Sequence, residues 1–534
     1  KFSELTNSSG EIARKTLLEY TQNSTDTTYY TPYTINASES YYGTASNSSV
    51  NLTTNLVGDN AVKLVLSNAL TSCQELNQAN TYYVLDSNVS SPNTCFTITA
   101  ENITLDCQGY WINYSYDGGD YEYGVYSDQF NTTIKNCNIV EGLASGDHNY
   151  AIYFNGADNG RIENSNITTS RRSSRGIYLY STPNSNINNN IITTSEDYSH
   201  GIYLSSTSNS NINNNTITTS GYNADGIQLS STSDNNNINS NNITTLGGLG
   251  YGIYLSSTSN SNTINNNDIT TSGYARGYGI YLSSTSNNTI SNNTIITSSG
   301  GASNGIRLES SSDNIFLNNN VTSSYQTYYI LGSEASHFNH TLGPDNLVNG
   351  KPINYTKDAS NLIFDSVDFT QYGQVIFANS ENITITNSNF SDNGITFLNT
   401  TGELSNNNIN AASGFGISFS SSSNNNINNN TITTSGSYGH GIYLSSTSNY
   451  NINNNNITTS GGKGYGIWLL SSSNSNINNN IITASGYGIY IRSSSNNNIN
   501  NNTITTSGGY AYGLYFSSSS NNNINNNNIT TKSY

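Results

Sequence analysis

Isolated apolar residues recur along this chain with a period of about 25 residues. In one representative unit, Ile202 and Leu204 lie on either side of Tyr203, and Ile212 and Ile217 follow within polar sequence. A unit this short cannot bury its few apolar side chains alone, so it must stack on copies of itself. The first apolar anchor recurs at Ile152, Ile177, Ile202, Ile227, Ile253, Ile280 and Ile306, and again at Ile417, Ile442, Ile467, Ile489 and Leu514.

The spacing predicts which kind of solenoid forms. Helical repeats need apolar residues three and four positions apart, whereas here three short segments are separated by Asn, Ser, Thr and Gly. We therefore predict an all-β, right-handed parallel β-helix with three strands per coil and roughly 16 coils. The step from second to third strand is constant at five residues, as from Ile238 to Ile243. Asn runs at the corners (213–215, 265–267 and 453–456) are expected to adopt left-handed turns and to stack their amides.

The repeat pattern divides the chain into five parts. The predicted parts are an N-terminal arm (1–60, with a short helix at 11–20), an N-terminal cap with the first coil (61–112), regular coils (113–321), an irregular interruption (322–374) and a second run of coils with an open C-terminal end (375–534). An open coil end exposes unpaired strands, so we expect it to meet another molecule. The arm is expected to lie along a neighbouring copy.

The composition argues against several classes of protein. Only 9% of residues are charged, but the apolar residues keep phase for hundreds of positions, which excludes a disordered polar tract. The net charge of −17 argues against nucleic acid as a partner. No apolar run is long enough to span a membrane as a helix. Because the chain begins at Lys1 and contains no Met, we interpret it as a processed, secreted product.

The cysteines and the N-glycosylation sequons also indicate a secreted protein. Four cysteines without Cys-x-x-Cys spacing predict two disulfides, with Cys73–Cys95 and Cys107–Cys137 expected, although sequence alone does not fix the connectivity. An Asn-rich chain also produces sequons by composition alone. Since a glycan is wider than one coil, directly stacked sequons are not all expected to be occupied. The candidate glycosylation sites are Asn7, Asn23, Asn36, Asn88, Asn102, Asn166, Asn242, Asn320, Asn456 and Asn528.

Few residues suggest catalysis or metal binding. The acidic stretch of Asp117, Asp120 and Glu122 could hold Ca²⁺, although a polar loop needs no metal. The cluster of Arg171, Arg172 and Arg175 could bind an anionic sugar or a neighbouring subunit, but a solvated corner loop is the simpler interpretation. We expect no catalytic residue, no cofactor and no resident metal.

One histidine lies in a motif that also occurs in enzymes. Gly439-His440-Gly441 is similar to the Gly-His-Gly of polygalacturonases, but it fills the position that Gly-Tyr-Gly takes at 464–466 and 486–488. No pair of carboxylates accompanies it, so we interpret His440 as a changed repeat position.

An outward aromatic stripe accompanies the first strand of each coil. It is expected to stabilise a sheet face or to contact sugar or protein. Thr pairs such as Thr218 and Thr219 raise ice binding as a further alternative, which neighbouring glycans would oppose. The stripe consists of Tyr153, Tyr178, Tyr203, Tyr254, Tyr281, Tyr443, Trp468, Tyr490 and Tyr515.

Two stretches carry a family resemblance. The segment 102–109 (Asn-Ile-Thr-Leu-Asp-Cys-Gln-Gly), followed by Gly-Ile-Tyr-Leu and Asn-x-Ile units, resembles the right-handed parallel β-helix (pectin-lyase-like) superfamily over residues 73–534. With 349–355 (Asn-Gly-Lys-Pro-Ile-Asn-Tyr) it is similar to the branch of periplasmic copper-binding-like and archaeal surface proteins. This scaffold carries lyases, hydrolases, adhesins and inert spacers, so the resemblance implies a fold and not an activity. Copper needs His, Met or Cys ligands, which are absent or scattered here.

Two hypotheses follow for function. The first is a secreted, N-glycosylated, non-enzymatic structural protein that assembles head to tail with itself into an extracellular filament or surface layer. The alternative is a polysaccharide-degrading enzyme or a glycan-binding adhesin that uses the aromatic stripe. The expected partners are other copies, covalent N-glycans and an extracellular polysaccharide.

Overall fold

A computed structural model describes most of the chain. The described residues are 68–142, 146–273, 275–298, 301–509 and 511–532, together with the backbone of 20–22, 27–29, 33–39 and 42–50.

The chain winds into an all-β, right-handed parallel solenoid of about 18 turns, slightly more than the number of coils predicted. It comprises two blocks, residues 68–348 (block 1) and 351–531 (block 2), each with three walls of parallel strands. We name these walls A, B and C in the order in which a coil passes through them. The described residues include one short 3-10 helix, Ala335–Phe338.

The walls of block 1 hold the following strands. Wall A contains Gln74–Leu76, Phe96–Ile98, Tyr123–Ser127, Tyr150–Asn155, Ile177–Tyr180, Ile202–Ser205, Ile227–Ser230, Ile253–Ser256, Ile280–Ser283, Ile306–Glu309 and Tyr328–Leu331. Wall B contains Asn68–Leu70, Tyr82–Leu85, Thr104–Asp106, Thr133–Lys135, Arg161–Glu163, Asn186–Asn188, Asn211–Asn213, Asn237–Asn239, Thr263–Asn265, Thr289–Ser291, Ile315–Leu317 and Thr341–Leu342. Wall C contains Val89–Ser90, Trp111–Tyr114, Asn138–Glu141, Asn166–Thr169, Ile191–Thr194, Thr216–Thr219, Asn242–Thr245, Asp268–Thr271, Thr294–Thr297, Asn320–Ser323 and Leu347–Val348.

Block 2 repeats this arrangement. Wall A contains Lys351–Lys357, Gln374–Ala378, Ile395–Leu398, Ile417–Ser420, Ile442–Ser445, Ile467–Leu470, Ile489–Arg492 and Leu514–Ser517. Wall B contains Ile363–Asp365, Ile383–Thr386, Gly402–Ser405, Asn426–Asn428, Asn451–Asn453, Asn476–Asn478, Asn498–Asn500 and Asn523–Asn525. Wall C contains Asn389–Ser391, Asn408–Ala411, Thr431–Thr434, Asn456–Thr459, Ile481–Ala484, Thr503–Thr506 and Asn528–Thr531.

The predicted anchors form the core. Ile202, Leu204, Ile212 and Ile217 are each fully buried, and the first of them pairs in register with Ile227 in the next coil. At about 1.5–3 kcal/mol for each fully buried aliphatic side chain, these contacts drive the stacking of coils.

Corner asparagines explain why the step between walls B and C is constant. Asn214 has a left-handed backbone (φ 55°), which lets the chain turn within two residues. Its neighbour Asn215 points inward, where its Nδ2 donates to Oδ1 of Asn241 at 3.0 Å and to the carbonyl of Ile187 at 2.9 Å. Each buried amide is therefore paired with the coils on either side. This amide ladder runs through Asn190, Asn215, Asn241, Asn267, Asn293, Asn319 and Asn346 in block 1, and through Asn407, Asn430, Asn455, Asn480, Asn502 and Asn527 in block 2.

The N-terminal region differs from the predicted division. Strands of all three walls are present from residue 68 onward, so coils fill most of the stretch that the sequence assigned to a cap at 61–112. Within the predicted arm, two antiparallel strand pairs form: Tyr20–Gln22 with Thr27–Tyr29, and Tyr33–Glu39 with Tyr42–Val50. The helix expected at 11–20 lies outside the described residues except for its last position.

The predicted interruption contains a reversal of the chain. Val348 pairs with Lys351 in antiparallel register across Asn349 and Gly350, which both have positive φ (50° and 82°). Such a two-residue Asn-Gly hairpin matches the twist of the strands that it joins. The strand that follows, Lys351–Lys357, pairs in parallel with Gln374–Ala378 and so begins wall A of block 2.

The second strand of wall A in block 2 is buried on both faces. In the strand Gln374–Ala378, Ile376 and Ala378 pack into the core of block 1, whereas Val375 and Phe377 pack into the core of block 2. The start of block 2 therefore closes the apolar end of block 1. At the far end of block 2, the inward residues of the last described coil are partly exposed, with Ile524 at 45% and Ile529 at 42%.

Candidate functional site

Both disulfides expected from the sequence are present. Cys73 bonds to Cys95 and Cys107 to Cys137. Cys95, Cys107 and Cys137 are buried in the core of block 1, so the two bonds link neighbouring coils near its N-terminal end.

The aromatic stripe lies on the outer side of wall A. Tyr178 stacks on Tyr153 at 4.9 Å and on Tyr203 at 5.0 Å between ring centroids, and further along Tyr254 stacks on Tyr281 at 4.8 Å. Most of these rings are half-buried, because each is covered by its neighbours in the coils on either side. The remaining members in block 2 are also in contact, from Tyr443 through Trp468 and Tyr490 to Tyr515.

A second aromatic column, not predicted from the sequence, runs beside the stripe. Its members precede the stripe residues by three positions, as Tyr251 precedes Tyr254 and Tyr465 precedes Trp468. Rings of the two columns meet edge to face, with 5.3 Å between Tyr251 and Tyr254. The constant three-residue offset is visible in the sequence and could have revealed this column. Its aromatic members in the described residues include Tyr123, Tyr150, His200, Tyr251, Tyr278, Phe415, His440, Tyr465, Tyr487 and Tyr512.

An aromatic cluster lies where the two blocks meet. Tyr325 of block 1 contacts Phe415 at 5.5 Å and Tyr438 at 6.3 Å, both in block 2. Tyr443 points away from the core of block 2, as the stripe pattern predicts, but it is only 3% exposed because this cluster covers it. The exposed part of the surface lies farther along block 2, where Tyr512 is 54% and Tyr515 37% exposed.

Two arginines pack against the aromatic rings of wall A in block 1. The guanidinium of Arg175 lies 4.7 Å from the ring centroid of Tyr178 and 4.3 Å from that of Tyr203. Arg307 lies 5.2 Å from Tyr329 and pairs with Glu309 at 2.9 Å. Arg175 therefore does not belong to a solvated loop as expected, because cation–π contacts hold it against wall A. Arg171 and Arg172 do line a shallow surface groove, together with Asp120, Asp147 and Glu196.

Three histidines are buried and neutral. The Nδ1 atom of His440 accepts a hydrogen bond from the backbone N–H of Tyr465 at 3.0 Å, and its ring stacks on that of Tyr465 at 4.7 Å. Burial lowers the pKa of His440 to about 3 and that of His340 to about 4. Burial, and after it the charge of Arg175, lowers the pKa of His200 to about 3. The rings of His200 and His440 act as aromatic members of the second column.

The acidic stretch does not converge on one point. The Oε2 atom of Glu122 accepts hydrogen bonds from the backbone and side chain of Thr94 at 2.6 and 2.7 Å, while Oδ1 of Asp120 accepts from the backbone N–H of Asp147 at 2.8 Å. Among the residues described, no group of three or more His, Cys, Asp or Glu side chains is placed to hold a metal ion. This applies to the Ca²⁺ candidates Asp117, Asp120 and Glu122 and equally to copper.

One groove lies on block 2 and is lined by amides. It has a volume of about 980 Å³ and follows wall B, where the outward amides of Asn428, Asn453 and Asn478 bond to one another at 3.2–3.3 Å. Glu403 is its one acidic lining residue. The groove therefore offers a regular row of amide groups.

The predicted glycosylation sites lie in different settings. Asn7 and Asn23 are outside the described residues, and of Asn36 only the backbone in a strand is described. Asn102 is half-buried, with its amide bonded to Asn80 and Asn131 at 2.9 Å each. The other six are exposed at the start of wall C strands, or just before one: Asn88, Asn166, Asn242 and Asn320 in block 1, and Asn456 and Asn528 in block 2.

The Thr rows do not form a two-residue-wide flat face. The second Thr of each pair is buried, as for Thr219, whose Oγ1 donates to the carbonyl of Ala224 at 2.8 Å. Thr245 and Thr271 bond in the same way to Gly250 and Gly277. Strand alternation turns every second side chain inward, so only Thr218 and its equivalents point outward.

Comparisons with known proteins agree with this architecture. The family described as "right handed beta helix region" matches residues 123–295 and 433–533, and the family described as "periplasmic copper-binding protein (NosD)" matches residues 250–342 and 343–476. No curated protein matches the chain in sequence. In the described residues no helix is long and apolar enough to cross a membrane.

Several solved structures are similar at low sequence identity. The A-module of mannuronan C-5 epimerase AlgE4 from Azotobacter vinelandii is 14% identical, covering 67% of this chain and 86% of its own, with a TM-score of 0.38. A double mutant of the tailspike protein of E. coli bacteriophage HK620 is 13% identical, covering 62% and 71%, with a TM-score of 0.36. DFA-IIIase from Arthrobacter chlorophenolicus A6, without its lid, is 12% identical, covering 46% and 83%, with a TM-score of 0.30.

Proposed function

The chain belongs to the right-handed parallel β-helix family, and from that premise we propose that it is a secreted, N-glycosylated, non-enzymatic structural protein that assembles with copies of itself. The observation that carries this proposal is the buried amide ladder. In block 1 it continues without a break from Asn190 to Asn346, with each Nδ2 donating to the Oδ1 of the next coil at 2.9–3.0 Å. The repeated Asn side chains join each coil to the next, which suits a structural role.

The two disulfides support the location outside the cytoplasm. Cys73–Cys95 and Cys107–Cys137 tie together coils that already share a core, and such bonds persist in oxidising compartments. The match to a periplasmic family is consistent with export.

The self-assembly part of the proposal assigns the contact between copies to one surface, the face of the last described coil. Ile524 and Ile529 are 45% and 42% exposed, whereas their equivalents one coil earlier, Ile499 and Ile504, are fully buried. A coil from a second copy, stacked in register, would cover this apolar face and pair its strand edges.

Sedimentation velocity on unglycosylated protein tests this interface. We expect the chain to associate, and we expect the double variant I524D/I529D to stay monomeric because charged residues on the end face oppose stacking. The matched control is I481D, since Ile481 is 56% exposed on the side of wall C. Association that is equal in the double variant and the wild type contradicts the end-face interface.

A glycan-binding role is the second candidate, and the exposed aromatic surface around Tyr512 and Tyr515 favours it. These rings are 54% and 37% exposed and stacked at 5.6 Å. Aromatic faces of this kind bind the apolar face of sugars. A glycan array with wild type and with the Y512A/Y515A variant tests this candidate, and loss of a wild-type signal in the variant supports it.

Assays for reducing ends and unsaturated products on pectin and alginate test the enzyme alternative, and release of either product overturns the non-enzymatic assignment.

A further inference from the structure

One outward position on wall C forms a continuous row along each block. It is the first residue of each wall C strand, and the strand register places every member directly beside its neighbour one coil away. At the N-terminal end, Asn88 precedes its strand and accepts a hydrogen bond from the backbone N–H of Trp111 at 3.0 Å. In block 1 the row is Asn88, Trp111, Asn138, Asn166, Ile191, Thr216, Asn242, Asp268, Thr294, Asn320 and Leu347, and in block 2 it is Asn389, Asn408, Thr431, Asn456, Ile481, Thr503 and Asn528.

N-glycosylation sequons occur in this row at every third coil. In block 1 they begin at Asn88, Asn166, Asn242 and Asn320, with two coils between each pair, and block 2 has the same spacing at Asn389, Asn456 and Asn528. All seven side chains are exposed.

The intervening coils lack the acceptor. Asn138 and Asn408 are the two other asparagines of the row, and both lack Ser or Thr two residues later, where Val140 and Asn410 stand. At six of the nine remaining positions of the row the asparagine itself is replaced while the Thr two residues later is present, as in Ile191-Ile-Thr193 and Thr216-Ile-Thr218. An Asn-rich composition alone would put sequons in adjacent coils as readily as in every third one.

The spacing corresponds to the room that a glycan needs. Coils rise by about 4.8 Å, so neighbouring sequons of the row lie roughly 14 Å apart. An oligosaccharide is wider than one coil but fits within three. We propose that these seven asparagines carry N-linked glycans, which form a regular row at the three-coil period on wall C of each block. This inference rests on the proposed secretion and glycosylation of the protein and adds where the glycans are.

The modification needs a donor that the secretory route supplies. The amide Nδ2 forms a bond to the anomeric carbon of an oligosaccharide, the bond from that carbon to a lipid-linked diphosphate breaks, and the amide proton leaves with the diphosphate. The Ser or Thr two residues later is recognised by the transferring enzyme. The glycans on wall C leave the aromatic face on wall A and the amide groove on wall B uncovered.

A second set of sequons sharpens the inference. At the corner between walls B and C, four asparagines, Asn214, Asn292, Asn429 and Asn501, also begin sequons, and each lies one coil before a sequon of the row. All four have left-handed backbones. A glycan at such a corner would crowd the glycan of the next coil, so the row is expected to be occupied and the corners bare.

Glycopeptide mass spectrometry of the full chain secreted from an N-glycosylating host tests this map. We expect high occupancy at the seven row positions and little at the four corners. Occupied corners beside empty row positions would overturn the inference while leaving a glycosylated structural protein intact. Secreted protein with no glycan at any sequon would overturn both the row and the glycosylation part of the proposed function, whereas the assembly and enzyme assays fail or succeed independently of it.

A designed pair of variants tests the spacing. T216N introduces a sequon one coil before Asn242 and removes the corner sequon at Asn214. We expect the number of glycans per molecule to stay unchanged, with occupancy divided between the introduced site and Asn242. In T216N/N242Q the glycan is expected at the introduced site, as a control that this site is competent. One additional glycan per molecule in T216N would refute the steric spacing.

Discussion

Oδ2 of Asp225 lies 3.5 Å from Nδ1 of His200, yet the two side chains do not form an ion pair. That nitrogen accepts a hydrogen bond from the backbone N–H of Asp225 at 3.0 Å, so it carries no proton. Burial lowers the pKa of His200 to about 3 and raises the pKa of Asp225 to about 8. Both side chains are therefore neutral at pH 7, which lets them replace aromatic rings inside the stack on wall A.

The buried Asp225 predicts that stability falls as the pH rises toward 8. Its pKa is about 8 in the folded protein and about 3.9 when unfolded, so the folded state binds more protons across this range. Between pH 6.5 and 8 the variant D225N is expected to remove a slope of up to about 1.4 kcal/mol per pH unit. Unfolding followed by circular dichroism at several pH values measures the slope. D86N is the matched control because Asp86 is exposed, and an unchanged slope in D225N contradicts the prediction.

The buried histidines predict the opposite trend in acid. The pKa of His440 is about 3 in the folded protein, so below pH 6.5 the unfolded state binds more protons and stability falls as the pH decreases. H440Q keeps an acceptor for the N–H of Tyr465 but cannot titrate. We expect it to reduce the loss of stability between pH 6.5 and 4 by up to about one proton's slope, 1.4 kcal/mol per pH unit. H148Q, at a half-buried site, serves as the comparison, and equal acid profiles for wild type and H440Q would refute this role.

Breaking the amide ladder is expected to cost far more than changing a surface asparagine. Asn267 is fully buried, and its Oδ1 accepts from the backbone and side chain of Asn241 at 3.0 Å each. N267A leaves two or more buried polar groups unpaired at about 1–3 kcal/mol each, so we expect a loss of about 3–5 kcal/mol. Hydrogen exchange at the amide of Asn241 reports the local opening. The exposed N242A is expected to stay within about 0.5 kcal/mol, and equal protection in both variants would argue against the ladder.

Glycine before the first strand is a packing requirement. A Cβ at Gly252 would overlap Cγ2 of Ile269 and the carbonyl oxygen of Gly279 in the next coil. G252A is therefore expected to destabilise the protein by about 1–3 kcal/mol, as overpacked cores do. A Cβ at Gly462 has no atom within 4 Å, so G462A is the matched control. Thermal unfolding of the two variants distinguishes them, and equal midpoints would contradict the packing argument.

The architecture of a single coil could be predicted from the amino-acid sequence alone. The apolar positions of each unit, such as Ile202, Ile212 and Ile217, specify three inward strands, and the corner asparagines specify the tight turn, because both signals act within one coil and its neighbours. The outward stripe was predicted for the same reason. The sequence favoured the cysteine pairing that the structure contains but did not fix it.

The contacts between parts of the chain that are distant in sequence became clear only from the tertiary structure. It turned the interruption into an Asn349–Gly350 hairpin and buried both faces of Gln374–Ala378. It also enclosed Tyr443 at the junction and aligned sequons that lie about 70–80 residues apart into a row on each block. These relationships depend on strand register added up over several coils and on which faces of the two blocks pack together. A hydrophobic period specifies which side chains turn inward in a coil, but the contacts between non-neighbouring coils arise only when the whole chain is folded.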